Sequence, residues 1–307
     1  MLRRQTSEKG KIMARKLLFA VDFSPYTEKL LGCAGELASY GLSEVILLHV
    51  VEDRGEVRSS AQALAEDIVA AEAELDDLAG QLEEQGIKVA RAVRTGNPAQ
   101  VIAGTAREEE ADLIFVGGRG KGWLKRTILG GVSDMVLRLA DRPVMIQHCR
   151  VSKGKGDDTC ENVCENLFGN ILVACDFSAY GDSIMPLLVN LAKTFCTPIT
   201  LLHVQEGKED GGYQIVDDYH KKQAKDKMER MQTLSYELGD FCKSVTIDIV
   251  NGSPPSAILA YANEIGASLI VLGAYGERGG EDTKLGKVAE KIINKSERPV
   301  LVLKTRE

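Results

Sequence analysis

Apolar residues occur along the chain in short uninterrupted runs, which alternate with longer segments where they recur every three or four positions. A run such as Val45–Leu48 is typical of a strand that is buried on both faces of a parallel sheet. The spaced pattern, as between Val132 and Leu139, predicts an amphipathic helix. Strands and helices that alternate in this way, joined by short loops, predict a doubly wound α/β fold.

The pattern occurs twice, with the same order of elements each time. In the first half the predicted strands are 16–22, 44–51, 88–95, 112–117 and 143–148, and the predicted helices are 26–40, 58–85, 98–109 and 130–140. In the second half the predicted strands are 170–176, 198–204, 244–250, 268–273 and 299–304, and the predicted helices are 181–195, 214–238, 254–265 and 284–295. Each half therefore predicts a five-stranded parallel sheet.

The longest predicted helix, 58–85, carries a narrow apolar stripe. Its members are Leu64, Ile68, Ala71, Leu75, Leu78 and Leu82. Such a stripe predicts packing onto the helix's own sheet, and contact with a helix of a partner is the alternative. Gly86 is placed to end the helix in a left-handed conformation.

Short motifs recur at a nearly constant distance. The repeated pairs include Ala20–Tyr26 with Ala174–Tyr180 and Leu47–Val50 with Leu201–Val204, at an offset of 154, and Arg142–Val144 with Arg298–Val300, at an offset of 156. Such regularity indicates a tandem duplication of a unit of about 145 residues. We expect a flexible tail at 1–13, a first domain at 14–150, a linker at 151–168 and a second domain at 169–307.

Composition narrows the class of protein. The chain has 307 residues, a formal net charge of −7 and 44% hydrophobic residues, which argues for two globular domains and against a nucleic-acid or membrane-surface binder. No apolar run approaches the ~18 residues of a membrane span, and the polar N-terminus lacks the apolar core of a signal peptide. The sequence thus favours a protein that contacts neither nucleic acid nor membrane.

Cysteine usage favours a reducing cytoplasm. There are seven cysteines, and they show no paired spacing of the kind that a disulfide framework requires. Cys33, Cys175 and Cys196 lie within apolar patterns and are expected to be buried. Cys160 and Cys164 in the linker allow a metal or redox role, but no second ligand pair accompanies them, and we expect no metal site.

A glycine-rich basic loop lies at the centre of the first half, between Gly117 and Ser133. It follows a predicted strand and precedes a predicted helix. Glycines let a backbone approach an anion closely, and the N–H groups at a helix start carry partial positive charge. Its basic residues are Arg119, Lys121, Lys125 and Arg126. The segment predicts a phosphate site, and a surface loop with solvated charges is the alternative.

Asp22 follows the first strand, at the edge of the sheet where ligands of open α/β folds bind. It is placed to accept a hydrogen bond from a ribose hydroxyl, and its counterpart in the second half is Asp176. Capping of helix 26–40 is the alternative role, one that Ser24 can also fill. His49 and His203 occupy equivalent strand positions and are expected to be hydrogen-bonded core residues rather than ligands.

Together these motifs resemble the universal stress protein family in its nucleotide-binding branch. Gly117-x2-Gly120-x9-Gly130 matches the glycine signature of that family, and the Ala-Val-Asp-Phe-Ser, Leu-Leu-His-Val and Arg-Pro-Val motifs also match it. The resemblance covers nearly the whole chain, twice. It implies two tandem, doubly wound, five-stranded parallel-sheet domains of the adenine nucleotide alpha hydrolase-like, Rossmann-like class, which bind ATP or AMP.

The resemblance also implies the residues of the site. Ala20, Asp22 and Val50 would contact adenine and ribose, and the phosphates would be held by Gly117, Gly120, Gly130, Gly131, Val132 and Ser133. A possible second site would use Ala174, Asp176, Val204, Gly273, Gly276, Gly286 and Lys287. Members of the family dimerise through the last strand, which implies that Val144–Ile146 pairs with Val300–Val302 across a pseudo-twofold axis.

Two departures from the family pattern concern the phosphates. Gly131 stands where the family has a serine or threonine, which tilts the first site towards AMP or ADP, although the choice between ATP and AMP stays open. In the second motif Lys287 takes that position, and acidic residues between Glu277 and Leu285 would repel a triphosphate. The second site is therefore expected to favour AMP or to be empty.

Three functions remain open. The first is a regulatory module that binds ATP or AMP and reports stress or energy status to an unknown protein partner, as a tandem chain or a homodimer. The second is a weak ATPase or phosphotransferase, and the third is a structural adaptor without nucleotide. Phosphoryl transfer needs positioned charges and usually a metal, and no Walker motif is present, so we expect a non-enzyme. Magnesium would enter only with a polyphosphate.

Overall fold

A computed structural model describes residues 15–24, 27–52, 61–118, 129–147, 151–153, 158–160, 166–206, 213–215, 225–276 and 285–304. In the first half the strands are β1 (Lys16–Val21), β2 (Glu44–Val51), β3 (Lys88–Thr95), β4 (Leu113–Gly117) and β5 (Val144–Gln147). The helices are α1 (Thr27–Ala38), α2 (Ala61–Glu83), α3 (Pro98–Glu108) and α4 (Gly131–Leu139). All nine agree with the predicted elements to within a few residues.

Two short strands follow, β6 (Val151–Lys153) and β7 (Asp158–Cys160), which pair with each other. The second half has β8 (Ile171–Ala174), β9 (Pro198–Glu206), β10 (Tyr213–Ile215), β11 (Ser244–Gly252), β12 (Leu269–Gly273) and β13 (Val300–Leu303). Its helices are α5 (Ala179–Ser183), α6 (Met185–Phe195), α7 (Lys225–Gly239), α8 (Pro254–Glu264) and α9 (Lys287–Lys295).

The strands of both halves form one continuous sheet of 11 strands. Its order is β10-β11-β9-β8-β12-β13-β5-β4-β1-β2-β3. Pairing is parallel within each half, apart from β10 at the edge, and antiparallel where β13 meets β5. There Val302 pairs with Val144 and Val300 with Ile146, which confirms the predicted pairing of the last strands. The doubly wound α/β class is confirmed as well, although the two sheets are joined.

The core lies on both faces of this sheet, because successive residues of a strand point to opposite faces. Leu17 and Phe19 belong to one apolar cluster, and Leu18 belongs to the other. Each cluster contains residues of both halves, so the halves share their cores. On α2 the stripe from Leu75 to Leu82 is buried in the first cluster, which confirms its packing onto its own sheet for that part of the helix. Ala71 is buried as well, whereas Leu64 and Ile68 are only partly buried.

Aromatic side chains fill the junction between the halves. Phe168 and Phe195 stack with ring centroids 3.6 Å apart, and Tyr40 of the first half packs edge-on against Phe195 at 4.8 Å. Phe168 is almost wholly buried, although the sequence predicted it to lie in a linker. Residues 167 and 168, the last two of the predicted linker, belong to the core.

Two predicted helices of the second half differ from the structure. Helix 181–195 is divided at Ile184 into α5 and α6, because Pro186 has no N–H and its ring would clash with an earlier carbonyl of a continuous helix. The predicted start of helix 214–238 is also wrong. Tyr213–Ile215 instead forms the edge strand β10, and the helix is found over Lys225–Gly239.

The cysteines depart from the prediction in part. Cys33 and Cys175 are buried as expected, but Cys33 is in a disulfide. Cys196, which caps α6 with a left-handed φ of 48°, is an exposed free thiol, contrary to the prediction. The predicted tail 1–13 and Cys164 lie outside the described residues. Within the described ranges, no helix is long and apolar enough to cross a membrane.

Candidate functional site

The first-half site is formed where the strand connections change direction. β1 pairs with β2 on one side and with β4 on the other, and the chain passes from β1 to β2 before it returns to β4. Ligands of open α/β sheets bind at the carboxyl edge beside such a switch point. Ala20, Val50 and Gly117 lie at the carboxyl ends of these three strands, and each is partly accessible.

Asp22 shapes the turn that leads from β1 into α1. Its Oδ1 accepts hydrogen bonds from the backbone N–H of Ser24 at 3.0 Å and from the hydroxyl of Thr27 at 3.3 Å. Among the described residues, hydrogen bonds reach only this oxygen of the carboxylate. Asp22 thus braces the turn before α1, and among the described residues it bonds no backbone N–H of that helix, so capping by Asp22 and its contact with a ribose both stay predictions.

The residue after Asp22 holds an uncommon backbone conformation. Phe23 has φ +52°, a region that a bulky residue rarely adopts, and its ring stacks on His49 at 4.2 Å. Nδ1 of His49 lies 2.9 Å from the carbonyl oxygen of Val21, so Nδ1 carries the proton because a carbonyl only accepts. The predicted hydrogen bond of His49 is thus confirmed, although the side chain is only partly buried.

The two ends of the glycine-rich segment lie next to each other. Gly118 donates to the carbonyl of Gln147 at 2.7 Å, and Gly130 donates to the carbonyl of Gly118 at 2.9 Å. The loop between them, with Gly120, Arg119, Lys121, Lys125 and Arg126, lies outside the described residues. Its two ends are nonetheless held together beside the end of β4.

Helix α4 presents its N-terminus at this point. Gly130 is the N-cap and makes no side-chain cap hydrogen bond. The N–H groups of Gly131, Val132 and Ser133 lie in the first turn, where a helix offers no carbonyl to bond them. Gly131 and Val132 are exposed, so these groups can receive an anion.

Ser133 has a second role that the sequence did not reveal. Its side chain is buried, and its hydroxyl donates to the carbonyl of Gly117 at 2.6 Å, which ties α4 to β4. What Ser133 offers to a phosphate is therefore its backbone N–H. The open position is Gly131, where an added Cβ would meet no atom of the described residues within 4 Å.

The second half repeats the strand end with closer packing. Oδ1 of Asp176 accepts from the N–H and the hydroxyl of Ser178, at 3.1 and 3.0 Å. A Cβ added at Gly276 would lie 3.0 Å from Oδ2 of Asp176. The second glycine motif thus approaches its aspartate directly.

The start of α9 matches the start of α4. Gly286 donates to the carbonyl of Ala274 at 2.8 Å, and a Cβ there would lie 3.2 Å from that same oxygen, so the close approach favours glycine. Lys287 is exposed in the first position of the helix. Ala289 is buried where the first half has Ser133, so the second half lacks the hydroxyl that ties its helix to its strand.

Two tyrosines cover the carboxyl end of β12, and sequence reasoning missed them. Tyr180 and Tyr275 pack edge-to-face at 4.8 Å, and the Tyr180 hydroxyl donates to the carbonyl of Leu303 at 3.3 Å. The Tyr180 ring also lies 3.5 Å from the position of a Cβ on Gly273. The repeat of Tyr26 as Tyr180 was the available signal. Ala174 and Val204, at the ends of β8 and β9, are partly buried.

The strained strand end is also repeated. Phe177 has φ +56°, and Nδ1 of His203 lies 2.8 Å from the carbonyl of Cys175, which confirms the predicted hydrogen bond of a partly buried histidine. The described part of the chain contains no group of three or more side chains that could hold a metal ion. The arrangement offers backbone N–H groups and a carboxylate, which suit a phosphorylated ligand with hydroxyl groups.

The joined sheet and the two glycine-to-helix motifs define a tandem Rossmann-like α/β protein. A family model described as Universal stress protein family matches residues 13–148 and 167–304. Since these matches span most of the chain, the protein belongs to the universal stress protein family.

Some relatives correspond to about half of this chain, and others correspond to nearly its full length. Universal stress protein MJ0577 of Methanocaldococcus jannaschii is 27% identical over 154 residues, which are 44% of this chain and 95% of that protein. Universal stress protein YxiE of Bacillus subtilis is 30% identical over 149 residues, 44% of this chain and 99% of its own. A crystal structure of a universal stress protein from Archaeoglobus fulgidus has TM-score 0.72 and 27% identity, and covers 95% of this chain and 98% of its own.

Proposed function

We propose that the first half binds an adenine nucleotide, ATP or AMP, and that the protein acts as a stress or energy-status regulatory module. The supporting observation is the exposed N-terminus of α4, which lies at the switch point beside the end of β4. The basic loop between Gly118 and Leu129 adds positive charge in the sequence. Asp22 and Val50, at the neighbouring strand ends, suit ribose and adenine.

The second half is proposed to bind nucleotide weakly or not at all. Tyr180 and Tyr275 cover the strand end there, and Gly276 lies against the carboxylate of Asp176, where a phosphate would be repelled. Lys287 supplies one positive charge at the helix start. AMP, with a single phosphate, is the nucleotide that such a site would prefer.

Binding rather than turnover is proposed as the activity. The carboxylate at the first-half edge, Asp22, is engaged in the turn into α1, and phosphoryl transfer needs a group that orients the nucleophile. Magnesium would arrive only with a polyphosphate. Steady hydrolysis of ATP that disappears in Asp22→Ala and Gly120→Glu variants would instead support the ATPase.

The nucleotide-bound state is proposed to be read by a protein partner, in the cytoplasm. Within the chain the halves already pair through β5 and β13, the contact by which the family resemblance implies dimers. A further homodimer of the whole chain stays a proposal. An adaptor without nucleotide would be favoured if neither ATP nor AMP bound.

The test is the amount of adenine nucleotide carried by the purified protein and its affinity by calorimetry. One mole per chain is expected, and two would restore the second site. Gly120→Glu should weaken binding at least tenfold, about 1.4 kcal/mol, because it introduces a side chain and a negative charge beside the phosphates. Gly276→Glu is the matched control and should leave the first-site affinity unchanged. Equal effects of the two changes, or none, would contradict the proposal.

A further inference from the structure

The segment that enters α4 is held by a residue of the other half of the chain. The backbone N–H of Leu129, immediately before the N-cap Gly130, donates to Oδ1 of Asn294 at 2.7 Å. The two residues are 165 positions apart in the sequence. Asn294 lies in the last turn of α9, so the second half reaches the edge of the candidate phosphate site in the first.

The amide of Asn294 has one orientation. Its Nδ2 donates to the backbone carbonyl of Glu290 at 2.9 Å, within the same helix. A carbonyl only accepts and an amide N–H only donates, so the oxygen must face Leu129. The acceptor for Leu129 is thus fixed in place by a regular helix rather than by a loop.

The segment before α4 is therefore held from two sides. Gly130 donates to the carbonyl of Gly118 in the first half, while Leu129 donates to Asn294 in the second. A glycine N-cap leaves the backbone more conformational freedom than other residues would. The backbone at Gly130 sets the direction in which the N–H groups of Gly131 and Ser133 point. If this backbone is already fixed before the ligand binds, the entropy cost of binding is lower.

The body of α4 is also held by the second half, through α9 and through the residue that follows β13. Arg138 pairs with Asp134 on its own helix at 2.9 Å and lies 3.6 Å from a carboxylate oxygen of Glu290 on α9. At the carboxyl end, Lys304 donates to the carbonyls of Leu137 and Ala140. The second half thus contacts α4 at its start, middle and end.

The anchor is not duplicated in the second half. At the offset of 156 that relates the later motifs, Asn294 corresponds to Arg138. The guanidinium of Arg138 is bonded to carboxylates and has no acceptor atom to offer to a backbone N–H. Because Arg138 stands where the second half has Asn294, only the second half supplies such an acceptor, and it supplies it to the first half.

We propose that Asn294 is a positioning residue for the phosphate site of the first half, so that this site is complete only in the tandem chain. The inference rests on the proposed nucleotide function. It gives the second half a role that does not depend on its own glycine motif, because α9 holds the entry to α4 whether or not a ligand occupies the second site.

The test measures the affinities of ATP, AMP and adenosine for the full chain by calorimetry. Asn294→Ala should lower the affinities for ATP and AMP about tenfold, which is about 1.4 kcal/mol, and leave that of adenosine within about twofold. The reason is that only the phosphates contact the start of α4. Glu290→Gln is the matched control, since it removes the ion pair with Arg138 but leaves Asn294 in place. It should leave the affinities for ATP, AMP and adenosine unchanged.

A second readout concerns Leu129 itself. With selective 15N labelling of leucine, the Leu129 amide proton should exchange with solvent faster in Asn294→Ala than in the wild-type protein. If the alanine variant unfolds, Asn294→Leu keeps the number and branching of the side-chain heavy atoms, removes the acceptor and should give the same results. Unchanged ATP affinity, or equal losses for ATP and adenosine, would overturn the inference. If the wild-type chain bound neither ATP nor AMP, the proposed function itself would fail, and the inference with it.

Discussion

The ammonium group of Lys304 donates a 2.7 Å hydrogen bond to the carbonyl oxygen of Ala140, which lies in the other half of the chain at the end of α4. It also donates to the carbonyl of Leu137 and lies 5.7 Å from the centre of the Tyr275 ring. Only 4% of Lys304 is exposed. A cation at a helix carboxyl terminus interacts favourably with the helix dipole, so this residue fastens the two halves.

Lys304 should make the stability of the joined fold depend on pH. Burial lowers the pKa of Lys304 to about 8 from an ordinary value of 10.5, although the nearby Asp141 carboxylate acts in the opposite direction. The folded-state pKa is thus below the unfolded one, and unfolding takes up a proton between these values. Rising pH therefore stabilises the fold from about pH 8 to about 10.5, by at most about 3 kcal/mol.

The measurement is the apparent free energy of unfolding against pH, for the wild type and for Lys304→Met. The difference between the two should shift in favour of the wild type as the pH rises from about 8 to about 10.5. Lys295→Met removes an exposed lysine of α9 and serves as the control, for which the two curves should run parallel. Parallel curves for Lys304→Met would contradict the prediction.

Gly131→Ser should strengthen nucleotide binding. Space is open around the Cβ position, and the new hydroxyl would stand at the helix start, where the family resemblance implies a serine or threonine. We expect a gain in ATP affinity of about threefold, or about 0.6 kcal/mol, measured by calorimetry. Gly131→Ala is the control, because it adds the Cβ and reduces backbone freedom without adding a hydroxyl. An equal gain in both variants would show that the hydroxyl is not responsible.

Two substitutions at Asp22 should separate its contribution to the turn from its contribution to ligand binding. Asp22→Ala removes the acceptor for Ser24 and Thr27 and should lower the free energy of unfolding by about 1 kcal/mol. Asp22→Asn keeps an oxygen for both bonds and should preserve stability, while the loss of charge weakens adenosine binding several-fold. Asp176→Asn is the matched change in the second half and should leave adenosine binding unaltered. Full adenosine affinity in a folded Asp22→Asn variant would exclude Asp22 from the ribose site.

Cysteine reactivity should follow burial. Desolvation, with a smaller contribution from Asp176, raises the pKa of the Cys175 thiol to about 12, and burial raises that of Cys242 to about 11. Cys196 is an exposed free thiol. Maleimide at neutral pH, followed by peptide mass spectrometry, should label Cys196 in the native protein and Cys175 only after denaturation, since the thiolate is the reactive form. Comparable labelling rates for Cys175 and Cys196 would contradict this.

The agreement between sequence and structure is best where the signal is local. The run Val45–Leu48 and the equivalent residues Ile199–Leu202 are buried, and both lie within parallel strands. The two ends of the glycine-rich loop, Gly118 and Gly130, meet beside the end of β4, and each end adjoins a predicted element. The edge strand at Tyr213–Ile215 was missed because three residues carry no periodicity that could be recognised.

Within the candidate site, the residue types predicted where the side chains lie better than they predicted which partners those side chains bond. Asp22 lies at the predicted sheet edge, but its bonds to Ser24 and Thr27 follow from the turn geometry. Ser133 was predicted as a phosphate contact, and its hydroxyl instead bonds Gly117. A hydroxyl or carboxylate can serve several partners, and only the positions of neighbouring elements decide which one it meets.

By itself, the sequence determined the repeated unit, the order of its strands and helices, and the strand ends at which a nucleotide would bind. These follow from hydrophobic period and glycine spacing, which act over a few residues. The tertiary structure alone decided that the two sheets join through β5 and β13 with shared cores, that Tyr180 covers the second site, and that Asn294 and Lys304 support α4. Local periodicity reports that a residue is buried, whereas its partner across more than a hundred positions is selected by how whole elements pack.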